Sequence, residues 1–107
     1  MKVALALVLS AAASATPSLE QQAAEMMLSV EAGQLVSAAD TCGYELDGEA
    51  LKTFMGNTIA GLHDGARFNY YAVTTNFPDE LGAMSETTRA ASCALQQSLA
   101  RKHGLLK

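Results

Sequence analysis

His63-Asp64 is the one place in the 107-residue sequence where a histidine stands directly before a carboxylate. Such a pair could serve a hydrolase as base and orienting acid, but it would need a nucleophile held in reach. Serines are present, yet none lies in the G-x-S-x-G turn that exposes a catalytic hydroxyl. A histidine ahead of Asp-Gly reads instead as part of a helix-ending turn, and His103, followed by Gly104, reads the same way. Metal chemistry would have to draw on His63, Asp64, His103 and the methionines Met26, Met27, Met55 and Met84. Thioethers and imidazoles suit copper, and imidazoles also suit zinc. No H-x-x-x-H or M-x-x-M spacing groups them, however, and Met26 and Met55 fall on helical stripes where methionine usually fills core gaps. The expectation is no metal, no cofactor and no catalytic residue.

The aromatic run Phe68, Tyr70, Tyr71 and Phe77, joined by Arg67 and Asn69, has a composition favoured at recognition surfaces. It also contains the large side chains needed to close a small core around Phe54, and that reading is preferred. The acidic pairs Asp79-Glu80 and Asp47/Glu49 read as ordinary helix N-terminal acids. Cys42 and Cys93 are the two cysteines, 51 positions apart, which excludes a C-x-x-C redox motif and makes a structural disulfide the default in an oxidising compartment. In the chain-entropy model, closing such a loop stabilises a fold by about 4 kcal/mol.

The compartment is indicated by the first residues. Met1-Lys2, an apolar run from Val3 to Leu9 and the small-residue site Ala13-Ser14-Ala15 have the layout of a cleaved signal peptide covering residues 1–15. As a helix, Val3 to Ala15 would span only about 20 Å against a hydrocarbon core of about 30 Å. Stable membrane insertion after cleavage is therefore not expected. Residues 16–107 then form a single helical domain. Losing Lys2 leaves six basic residues against eleven acidic ones, a charge of −5. An acidic chain with scattered basic residues lacks the clustered positive charge that drives nucleic-acid binding, and it gains little from anionic lipid.

The elements that must position these residues read as helices. Thr16 offers a cap, Pro17 suits a first turn, and no proline interrupts the chain from there to Gly43, which predicts one helix from Ser18 to Thr41. Its apolar residues form two opposed stripes: Leu19, Ala23, Met26 and Val30 on one side, Leu28, Ala32, Leu35, Val36 and Ala39 on the other. Gly33 lies near the changeover and could instead break the helix. A second helix, capped by Asp47, buries Leu51, Phe54, Met55, Thr58, Ile59 and Leu62. Residues 67–77 are rich in β-formers, but a lone strand would have no partner, so a helix bent at Gly61 and Gly65 and ended by Pro78 is expected. The last helix starts at Pro78 or Ser85 and stops at His103-Gly104, its main stripe being Leu81, Met84, Ala91, Leu95 and Leu99. Cys93 lies off that stripe, beside Ala90 and Ala100. The fold class is thus all-α, a small bundle of three to four helices with one disulfide behind a cleaved signal peptide.

In gross plan the chain is similar to acid-activated periplasmic chaperones: small, helical, exported, with a disulfide spanning about fifty residues. The likeness is one of plan and spacing, and the segments Thr41-Cys42-Gly43-Tyr44 and Ala91-Ser92-Cys93-Ala94 transfer no functional residue. These observations lead to the expectation of a periplasmic or extracellular binding protein rather than an enzyme, acting by contact with another protein or with a second copy. Leu19, Met26, Val30, Tyr70 and Tyr71 are the candidate interface residues. The alternatives are a metal- or ligand-binding protein or enzyme built on His63 and the Phe68–Phe77 segment, or an acid-stress chaperone-like protein.

Overall fold

Ser18 starts the first helix: its Oγ accepts the Gln21 N–H at 3.1 Å, satisfying one of the amides that a helix start leaves unpaired. The computed structural model describes residues 17–107, so the expected leader and the Thr16 cap lie outside the described residues. From Ser18 the chain forms α1 (Leu19–Ser37), running unbroken through Gly33, and a short α2 (Ala39–Cys42). The Tyr44 hydroxyl donates to the Leu35 carbonyl, which in a continuous helix would serve the Ala39 amide, and the interruption falls at that point. Gly43 closes α2 in the left-handed conformation at φ 74°, as its place after Cys42 predicts.

Asp47 caps α3 (Gly48–Phe54), its Oδ2 accepting the Ala50 N–H at 2.8 Å. The second helix was expected to continue as one α-helix, but from Met55 to Ile59 it widens into a π turn, with the Ala60 N–H reaching the Met55 carbonyl at 3.0 Å. Phe54 before that turn, Ile59 within it and Leu62 after it all lie in the core.

A new helix, α4, then runs from Asp64 to Ala83. This corrects the expectation for Pro78, which lies inside α4 rather than ending it. A mid-helix proline costs about 3 kcal/mol. Phe77 and Leu81, on either side of it, are both buried, and each such burial contributes about 1.5 to 3 kcal/mol, enough to hold the helix together. The end of α4 is completed from the next helix: Arg89 donates to the carbonyls of Leu81, Gly82 and Met84 at 3.0, 3.3 and 2.8 Å. Ser85 caps α5 (Glu86–Lys102), and Gly104 at φ 70° turns the chain so that Leu106 pairs with Leu46 in an isolated bridge.

Helix α1 sits between the two other long helices. It runs parallel to α4, as Glu25 meets His63, Ser29 meets Asn69 and Gly33 meets Val73. It runs antiparallel to α5, as Glu31 meets His103, Gln34 meets Gln96 and Cys42 is bonded to Cys93. Gly33 is what allows the α1–α4 approach, since a Cβ there would lie 2.7 Å from Val73 Cγ1 and 3.1 Å from the Tyr70 carbonyl. The α3–π segment packs its Phe54 and Ile59 into the same core as Ala32 and Leu35 of α1. The disulfide and the all-α class are as expected.

The burial of α5 differs from the expected stripe. Leu95 is 56% exposed and Ala91 is exposed, while Gln96 and Ala100 are buried. The disulfide turns the Cys93 side of α5 toward α1, which rotates Leu95 outward.

Candidate functional site

The two stripes of α1 have separated as their opposition requires. Ala32 and Leu35 are fully buried, with Leu28, Val36 and Ala39 packed against the core. Leu19, Met26, Met27 and Val30 remain exposed, Leu19 at 84% and Met27 at 75%. Met27, missing from the sequence-derived stripe, belongs to this face. Its position four residues past Ala23 and three before Val30 is the available signal, since residues at those spacings share a helix face.

The face is bordered by α5. Met27, Val30, Gln34 and Leu99 line an open groove of about 340 Å³, whose charged rim is Glu31. That carboxylate is committed: His103 Nε2 lies 2.6 Å from its Oε2, and Lys102 Nζ lies 3.7 Å from the same oxygen. On the α4 side Gln34 also borders a polar hollow of about 270 Å³ with Asn69, Asn76 and Glu80. Beneath the face, Asn69 Nδ2 donates to Ser29 Oγ at 2.8 Å and Ser29 donates to the Met26 carbonyl at 2.6 Å. Gln96 Nε2 donates to Gln34 Oε1 at 3.3 Å, leaving Gln96 Oε1 buried without a partner. The result is an apolar helix face with an amide, Gln34, at its C-terminal end and fixed polar borders. Chemically it offers apolar area and a few amide hydrogen bonds, the means of holding another helix.

The aromatic candidates do not assemble into one site. Tyr70 is buried at 3% exposure, with its hydroxyl on Met55 Sδ at 3.3 Å, so it is a core residue and is withdrawn from the interface set. Burial raises its pKa. Tyr71, its edge-on neighbour at 5.2 Å, is exposed, as is Phe68, whereas Phe77 is buried.

His103 ends α5, as its place before Gly104 suggests, whereas His63, expected in a helix-ending turn, is the N-cap that starts α4, the preceding π turn having already ended at Ile59. Nothing in their spacing signals that each would meet a glutamate of α1. Glu25 Oε1 accepts the His63 backbone N–H at 2.6 Å and lies 3.1 Å from His63 Nδ1. The backbone hydrogen bond, then the side-chain one, holds the Glu25 carboxyl below the usual glutamate range. Among the described residues, no three His, Cys, Asp or Glu side chains converge as a metal site would require, and no helix is long and apolar enough to cross a membrane.

No protein-family model, no curated protein and no solved structure matches the chain.

Proposed function

We propose that the protein is a small exported binding protein, not an enzyme, that acts by protein–protein contact through the outer face of α1. The observation that supports this is the run of exposed apolar side chains, Leu19, Met26, Met27 and Val30, beside Leu99 of α5. Contiguous apolar surface of this kind costs solubility and usually marks an interaction site. From Leu19 to Gln34 the stripe carries no charge of its own, so apolar contact rather than ion pairing selects the partner, for which an amphipathic helix is the natural occupant. The Cys42–Cys93 disulfide supports an oxidising compartment, and with it export to the periplasm or beyond.

Replacing Met26 and Val30 together by lysine tests the reading. The variant should keep the melting temperature of the wild type within a few degrees and lose the assembly, or the captured partner, that the wild type shows in sedimentation and affinity capture. A steep fall in melting temperature, or assembly and capture identical to wild type, would remove the proposal.

A second reading, an acid-stress chaperone-like role, draws on a specific feature. The chain has two histidines, and both are held by glutamates of the helix that carries the exposed face. Acid that protonates Glu25, whose charged form the His63 contacts favour, would weaken the fastening of α1 to α4.

A further inference from the structure

α3, the π turn and the tail after α5 border an open cleft that the α1 face does not involve. It measures about 460 Å³, within the range typical of small-molecule sites. Phe54 and Leu105 supply apolar wall, while Glu49, Asn57, Thr58 and His103 bring polar groups to the same space. Three features distinguish it from an incidental surface dent. Asn57 and Thr58 stand on the π turn, a backbone form that gives up regular hydrogen bonding and recurs at functional sites. His103 is held on two sides, by Glu31 at Nε2 and by the Phe54 ring at a centroid distance of 5.6 Å. An imidazole fixed through one nitrogen by a carboxylate presents the rest of its ring in a set orientation. The tail is fixed too, through the Asp47 N–H on the Leu105 carbonyl at 2.8 Å and the Lys107 N–H on the Glu45 carbonyl at 3.0 Å.

The charge of the lining selects the ligand. Glu49 is its one carboxylate, and no lysine or arginine joins it. The two lysines nearest in sequence to His103 and Leu105 are engaged elsewhere, Lys102 with Glu31 and Lys107 with Glu45. The whole chain carries −4, which adds a weak long-range preference of the same sign. An anion is disfavoured by every one of these terms. We infer that this cleft binds a small organic cation, an ammonium group on a compact apolar body, with Glu49 as counter-ion, Asn57 and Thr58 as hydrogen-bond acceptors, and Phe54 and Leu105 against the apolar part.

Three probes of one shape and different charge test it: benzylammonium, benzyl alcohol and benzoate, each titrated into the intact protein while backbone amide resonances are followed. Benzylammonium should give saturable shifts at Asn57, Thr58 and Leu105, benzyl alcohol should bind more weakly at the same residues, and benzoate should not bind. Glu49 is exposed, so Glu49→Gln should leave the fold unchanged while weakening benzylammonium about fivefold, the effect of one partly screened ion pair. Benzyl alcohol should bind the variant as it binds the wild type. No saturable shift at the cleft residues, equal binding of the three probes, or an unchanged benzylammonium affinity in Glu49→Gln would each overturn the assignment.

Discussion

Glu25 shows how much one side chain can fasten at this scale. Its carboxylate takes the backbone amide of His63, one of the donors left open where α4 begins, so a residue of α1 caps a helix whose N-cap lies 38 positions later. Because its pKa in the fold lies below the ordinary 4.5, the charged form is the one the fold prefers. The stability it contributes is therefore complete above the ordinary glutamate range and is lost as pH falls through the lowered value. Glu25→Gln should be less stable than wild type at neutral pH, and the gap should close on acidification, measured as melting temperature against pH. If the acid-released reading of α1 is right, binding of an apolar dye by the wild type should rise over that same interval. Tyr44 titrates at the other extreme: burial pushes its phenol up to about 12, which keeps it a hydrogen-bond donor to Leu35 at every physiological pH.

At the scale of elements, the contact between α1 and α4 is set by the absence of one carbon. Gly33→Ala would place a Cβ 2.7 Å from Val73 Cγ1, and overpacking of this kind typically costs about 1 to 3 kcal/mol. Removing the obstructing methyls in Gly33→Ala/Val73→Ala should recover part of that loss, and a double-mutant cycle of melting temperatures would show the coupling. Local signals of capping and termination were legible in the sequence: Asp47, Gly43 and Gly104 each do what their type and place suggest. The opposed stripes of α1 were legible too, because a helical period carries that information within a single element. Pro78 was misread because the burial of Phe77 and Leu81, a tertiary effect, outweighs a local rule. The outward turn of Leu95 depends on where the disulfide points α5, and the π turn has no sequence signature. The Glu31–His103 pair joins residues 72 positions apart and could not be found by spacing.

For the molecule as a whole, the Cys42–Cys93 bond ties the end of α2 to the middle of α5 across a Cα–Cα distance of 5.2 Å. Reduction should cost about 4 kcal/mol in the chain-entropy model and lower the melting temperature by many degrees, read by calorimetry with and without reductant. Two titratable thiols in the native protein would contradict the pairing. The placement of this bond also governs how the molecule would respond to a mechanical load. A force applied to the two chain ends passes through the disulfide and bypasses α3, the π turn and α4. The 51-position span it encloses, about 180 Å of contour at roughly 3.5 Å per residue, stays hidden until the bond is reduced. Under tension only α1 with α2 and the later half of α5 can unravel. The apolar face therefore belongs to the part of the chain that yields to a pull, while α4 stays shielded behind the staple.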